Sequence, residues 1–294
     1  DGGSIDGTWE KLEELSLDDD RIIIAQNKRD WSHPRFAVFD GLQKAFARSL
    51  CTSEWCWQQD SDEIVHEADY SKVKELITRL PKATDLLALP VVEYWGGNEK
   101  VRVDVNPWKW RLSRNRKYIT HGIPKQLRRV DALGNLYASP GTDGCDYIDA
   151  ETYEIIPCTT FYTKDVHELR VAALRGNSGA VEAYERWFNE ITSLLPSIYH
   201  YSWYNLARKI KTYKLYWSTH WQSLYNIPQE DTPENNMFFD KPWTEVTDED
   251  ITDLALKLKS EKGGWVFHEK INWNVNVPHL TLENKPPELA KDLN

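Results

Sequence analysis

The sequence predicts an α/β fold, with a mixed, mostly parallel sheet covered by helices and a helical C-terminal region after it. Three observations carry this. Short β-branched or aromatic runs alternate with helical periodicity over the first 95 residues, the order of a β-α-β-α-β chain. The run LLALPVVEYW (86–95) reads as a strand buried on both faces. From residue 178 helical spacing dominates, which divides the chain into an α/β unit over 1–175 and a helical region over 176–294.

Each element has its own signal. DGGSIDGT (1–8) reads as a turn into the helix WEKLEELS, capped by Asp6 or Thr8. RIIIAQN (21–27) has the β-branched content of a strand. FAVFDGLQKAFARSL (36–50) sets Leu42, Ala45, Phe46 and Leu50 on one helical face. WCWQQ (55–59) is a strand that runs into D-S-D-E, SKVKELITRL (71–80) a helix, and 86–95 the buried strand. The region from 98 to 165 is rich in turns and charges, with a strand-like piece at KWRLS (109–113). SGAVEAYERWFNEITSLL, from 178, is helical. WYNLARKIKTYKLYWSTHWQSLY (203–225) is a long aromatic-basic helix whose Lys and Tyr tips reach solvent, a membrane surface or a partner. NIPQEDTPENNMFFDKPW (226–243) reads as a polar loop. TDEDITDLALKLKSE (247–261) opens with a capping-box-like T-x-x-D, and the stretch around Pro286 and Pro287 reads as a tail.

The totals narrow the function. The chain of 294 residues is 40% hydrophobic, enough for one large or two small cores. A net charge of -10 opposes general nucleic-acid binding, which needs a basic footprint. Cys51, Cys56, Cys145 and Cys158 form no C-x-x-C pair and no zinc spacing, so they read as reduced thiols. No apolar run approaches the roughly 20 residues of a membrane span, and no signal peptide is recognisable. The expectation is a soluble, cytoplasmic protein with peripheral membrane contact left open. Tryptophan and tyrosine, 14 of each, suit stacking on sugar rings, although most of them must fill the core.

WCWQQDSDEIV (55–65) is the segment that asks for an explanation. Three acids within four positions repel one another unless a cation or hydrogen-bond donors offset them. Ligands of parallel sheets bind at the carboxyl ends of strands. Alternation along an extended end would put Asp60 and Asp62 on one side. So placed, they can share Mn²⁺ or Mg²⁺, hard cations that keep open positions for phosphate oxygens. Such a cation clamps a diphosphate and neutralises the charge that grows as it leaves. A solvated acidic turn is the plain alternative.

DGGSIDGTWEKL resembles the D-G-S-x-D-G-T segment of family 2 glycosyltransferases. Gln26-Asn27, the helix 36–50 and the strand followed by D-S-D-E are similar to that family in order, over about residues 1–95. The resemblance implies a GT-A, Rossmann-like nucleotide-sugar domain. It implies that Asp60 and Asp62 carry the metal and the donor diphosphate, that Asp1 faces the uracil or other base, and that Asp6 caps or braces the loop. The family's first strand, part of the base and ribose site, is expected ahead of Asp1.

The resemblance also implies a general base downstream, if the enzyme inverts. SPGTDGCDYID (139–149) offers Asp143 and Asp146, with Asp146 preferred as the start of an ordered segment; an ordinary Gly-rich turn is the alternative. RNRKYITHGIPKQLRR (114–129) is basic around His121, suited to a diphosphate or an anionic acceptor, or simply solvated. In IYHYSW (198–203) the resemblance makes His200 a third metal ligand or phosphate contact, against a structural histidine. Lys209 or Lys211 would balance the leaving diphosphate, with Arg208 the weaker choice.

The expectation is therefore a metal-dependent, inverting glycosyltransferase moving a hexose from a UDP-sugar such as UDP-glucose to a glycan acceptor. A sugar-nucleotide nucleotidyltransferase is an alternative, but no G-x-G-T-R-like loop occurs near the start. A non-catalytic carbohydrate-binding protein is another, opposed by the helical pattern.

Overall fold

The computed structural model describes residues 1–32, 37–116, 119–120, 123–124, 128–130, 136–138, 147–148, 155–156, 158–159, 161–225, 230–260 and 279–290. Two helices come first, α1 (Thr8–Asp18) and α2 (Ala37–Ser49). Asp6 accepts hydrogen bonds from the Thr8 N–H (3.1 Å) and hydroxyl (2.6 Å), which fixes the entry to α1. The run 21–27 differs from expectation: it forms no strand. Two of its main-chain bonds go to the first residue, with the Asp1 amine donating to Ala25 O and the Asn27 N–H to Asp1 O, both at 2.8 Å. So short a partner builds no ladder.

The sheet strands are β1 (Trp55–Trp57), β2 (Glu63–Val65), β3 (Leu86–Glu93) and, after β4 (Val101–Arg102), β5 (Trp108–Arg114). Helix α3 (Tyr70–Arg79) lies between β2 and β3 in the chain. Three two-stranded ladders follow: Ile119–Thr120 (β6) with Ile123–Pro124 (β7), Arg128–Val130 (β8) with Leu136–Ala138 (β9), and Tyr147–Ile148 (β10) with Ile155–Ile156 (β11). Then come β12 (Cys158–Thr159), α4 (Lys164–Leu174), α5 (Ser178–Leu194), β13 (Ile198–His200), α6 (Leu206–Tyr225), α7 (Asp248–Ser260) and β14 (His279–Leu280).

Among the described residues the main sheet runs β1-β5-β3-β13-β2, with β12 also on β3. The pairs β1–β5, β5–β3 and β13–β2 are antiparallel, and β3–β13 and β3–β12 are parallel. The sheet is thus mixed and mainly antiparallel, which corrects the expected parallel majority. Parallel pairing needs a long crossover, and α4 with α5 supplies one between β12 and β13. Those two strands share one edge of β3: β12 pairs with Leu86 and Leu87, β13 with Val91 to Glu93. Pro90, with no N–H to donate, falls between them.

One feature of this order positions the site. β1 and β2 are the two ends of the path, yet only residues 58–62 separate them in the chain. A link that short spans at most ~20 Å, so the sheet has to curl until its edges approach. Gln58 N–H donates to Arg111 O on one edge, and Tyr201 N–H donates to Asp62 O on the other, both at 2.8 Å. The D-S-D segment is the seam of the curl.

β3 is buried along its whole length. Leu87, Leu89 and Val91 pack with Trp55, Trp57 and α3, while Leu86 and Ala88 pack with Trp108, Trp110 and Tyr162. The helical region expected over 176–294 also supplies strands, since β13 enters the sheet beside β3 and β14 pairs with β4. The loop expected to be polar buries Phe238 and Trp243 against α6 and α7. At α7 the capping box forms in both directions: Asp250 N–H donates to Thr247 Oγ1 (3.1 Å), and Thr247 N–H donates to Asp250 Oδ2 (2.7 Å). No helix among the described residues is long and apolar enough to cross a membrane.

Candidate functional site

The register of three strands brings acids and bases together. His200, the last residue of β13, lies opposite Glu93 on β3 and opposite Glu63 on β2. These are the carboxyl ends of the parallel pair β3–β13 and the start of β2. β5 approaches antiparallel to β3 and adds Lys109 and Arg111. A register shift decides the second of these: Leu87 pairs with Leu112 and Ala88 with Trp110, so Arg111 is the extra residue of a bulge.

Glu63 is buried and fully engaged. Arg111 donates to it from Nε (2.9 Å) and Nη2 (2.6 Å), and Lys109 Nζ donates at 2.7 Å. Asp60 meets Arg111 as well, and its other oxygen lies 2.9 Å from Lys44 Nζ, on α2. His200 bridges two acids: Nδ1 meets Glu93 Oε2, and Nε2 lies 3.3 Å from Asp62 Oδ2. Lys109 Nζ is 3.3 Å from the same Nδ1.

Electrostatics follow from this packing. Burial works against a charged His200, but Glu93 and Asp62 on either side overcome it and push its pKa up to about 9. Burial also opposes the charge on Asp62, and the His200 hydrogen bond and charge, with Lys209 and Lys109, still hold that carboxyl far below its ordinary range. Glu93, also buried, is held low by His200 against the same desolvation. One of its oxygens, Oε1, is buried without a hydrogen-bond partner among the described residues.

Asp60 and Asp62 part company. The Glu63 N–H donates to Asp60 O at 3.1 Å, a turn rather than the extended end that would have set them side by side. Asp60 turns to Lys44 and Arg111. Asp62, with its side chain 43% exposed, faces His200 and a cleft of about 350 Å³. Tyr201, Ser202, Arg208, Lys209 and Thr212 line the cleft with it. Lys209 Nζ donates to Ser202 Oγ (2.6 Å) and lies 5.7 Å from the Trp203 and Tyr213 rings. Burial lowers its pKa, partly offset by Asp62 and Glu93.

The other expected residues are placed differently. Lys211 pairs with Asp248 at 3.2 Å and does not line the cleft. Asp1 organises its own turn, accepting from the Gly3 N–H (2.7 Å), the Ser4 hydroxyl (2.5 Å) and Gln26 Nε2 (3.1 Å). His121, Asp143 and Asp146 lie outside the described residues. Glu93, Lys44, Lys109 and Arg111 were missed by sequence reasoning, and Glu63 was placed in the acidic cluster without a role. The signals were there: an acid inside the apolar run ALPVVEYW, and charges alternating with tryptophan in WKWR.

Among the described residues no three His, Cys, Asp or Glu side chains stand together as a cage for a metal ion. Asp60 does not fit a metal, since both its oxygens are taken by protein cations. Asp62 and His200 fit better. Their donor atoms are 3.3 Å apart, and Glu93 holds the far ring nitrogen as carboxylates do behind metal-bound histidine. No family model, no curated protein and no solved structure matches this chain.

Proposed function

We propose that the chain is a cytoplasmic glycosyltransferase of GT-A type. It would move a hexose, with inversion, from a nucleotide-diphosphate sugar such as UDP-glucose to a glycan acceptor. One observation supports this above the others: the second aspartate of D-S-D opens onto a cleft that Lys209 and Arg208 also line, and neither has an ion-pair partner among the described residues. Cations so placed meet the oxygens of a diphosphate. Tyr201 and Tyr204, which pack against each other and against Tyr94, also line the cleft and would add aromatic surface for a base or sugar.

In the reaction an acceptor hydroxyl attacks the anomeric carbon as the bond to the diphosphate oxygen breaks. A carboxylate takes the hydroxyl proton, and Asp146 and Asp143 remain the candidates. Lys209 and Arg208 receive the negative charge on the departing diphosphate. Asp62 and His200 are the residues that would hold Mn²⁺ or Mg²⁺, which when bound neutralises part of that charge. A cation-free form of the same reaction is favoured by the pairing of Asp60 with Lys44 and Arg111 and of Asp62 with His200, which leaves the acids already compensated.

Calorimetric titration of UDP with and without Mn²⁺ tests the reading. Mn²⁺-dependent binding that Asp62→Asn weakens by at least about tenfold supports it, with an unchanged melting temperature as the control. UDP binding that ignores Mn²⁺ selects the cation-free form. No UDP binding in either buffer removes the proposal.

A further inference from the structure

The run 21–27 carries backbone that the chain leaves open. Ala25 O and Asn27 N–H, two residues apart, both meet Asp1 at 2.8 Å. The backbone therefore alternates there as a strand does, and the groups between point to the opposite edge. Those groups belong to Ile24 and Gln26, whose main-chain N–H and C=O have no hydrogen-bond partner among the described residues. Ile22 and Ile23 are exposed beside them. Open backbone flanked by apolar side chains is a template for another strand. The two ends of the run differ in charge. Asp18, Asp19 and Asp20 against Arg21 leave -2 at its start, and Lys28 and Arg29 against Asp30 leave +1 at its end. The acids stand at the C-terminus of α1, where the helix dipole disfavours them and the last turn holds no basic residue. Arg21 pairs with Asp19, while Asp18, Asp20 and Lys28 have no ion-pair partner among the described residues.

We infer that this edge is an interface between two copies of the chain, paired antiparallel about a two-fold axis at Ile24. In that register Ile24 faces its own counterpart and Ile23 faces Ala25. Asp20 of each copy meets Lys28 of the other, so the acidic end of one lies on the basic end of its partner. Parallel pairing would set acids on acids. The contact uses the same patch on both copies and closes on itself, so assembly stops at a dimer. The bonds form on the edge away from Asp1, whose own contacts with the run are kept. So short an interface holds weakly, and at about 1 μM the copies are apart and the run is exposed. The inference does not depend on the glycosyltransferase reading.

Sedimentation equilibrium of the whole chain tests this. The mass should rise from 34.4 kDa at about 1 μM towards twice that at about 200 μM. Ile24→Pro removes the central N–H, which the single chain leaves unused, and should keep the chain monomeric. Asp20→Lys and Lys28→Asp, both at exposed positions, should each weaken the dimer about tenfold, since the two-fold axis repeats every substitution. Mixed in equal amounts, these two variants should pair with each other about as well as wild type does, because each supplies the charge the other lacks. A wild-type chain that stays at 34.4 kDa at about 200 μM overturns the inference. So does a dimer that both charge reversals leave unchanged, or a pair of variants that fail to rescue each other on mixing.

Discussion

Glu63 is 3% exposed and Ile23 is 77% exposed, the reverse of what their side chains prefer. The two residues typify two regions. At the end of β3 and β13, the carboxylates of Asp60, Asp62, Glu63 and Glu93 meet Lys44, Lys109, Arg111 and His200. In the first fifty residues Leu17, Ile22, Ile23, Leu42 and Phe46 are exposed, and α1 buries nothing. The difference teaches that burial follows the partner surface a residue is given. A charge goes inside where opposite charges arrive with good geometry, and an apolar side chain stays outside where no sheet or helix covers it.

The contrast can be broken most severely at Glu63. Glu63→Ala leaves Lys109 without its acid and Arg111 with Asp60 alone, so stability should fall by about 3–5 kcal/mol, read from urea denaturation. A loss under ~1 kcal/mol would mean that the knot behaves like a surface ion pair.

His200 should give a smaller effect that depends on pH. Its folded pKa lies near 9, above the ordinary 6.5. Its charged form therefore contributes fully below pH 6.5, and that contribution fades as pH rises through about 9. In metal-free buffer, the melting-temperature gap between wild type and His200→Gln should be widest near pH 6 and shrink towards pH 10. A gap that stays constant would mean that His200 holds the fold through packing rather than charge.

The smallest effect belongs to the N-terminal region. Leu17→Ser or Ile23→Ser should change stability by no more than about 0.5 kcal/mol. A larger loss would show that these side chains are covered in solution.

Much of the secondary structure was legible in the sequence. The periodicity of 36–50 and 71–80 gave helices, the T-x-x-D at 247–250 gave a working cap, and WCW, KWRLS and the apolar run at 86 gave strands. RIIIAQN was misread because composition reports a strand's side chains and not whether a neighbour exists. The candidate site was half legible. D-S-D stood out as charge beside aromatic residues. Its partners Lys44, Glu93 and Lys109 did not, because they come from three distant stretches and no local pattern joins them; His200 was expected there only through the family resemblance.

What the sequence alone determined was local: which segments twist into helices, where a cap closes, and that a cluster of acids follows a strand. Hydrogen bonds and side-chain spacing within a few residues are enough for that. The tertiary structure decided the direction of each strand, the curl that brings β1 and β2 together, and the bulge that delivers Arg111 to Glu63. It also sent Asp60 into a salt bridge and Asp62 to a cleft, a choice set by which distant strand lay beside each carboxylate.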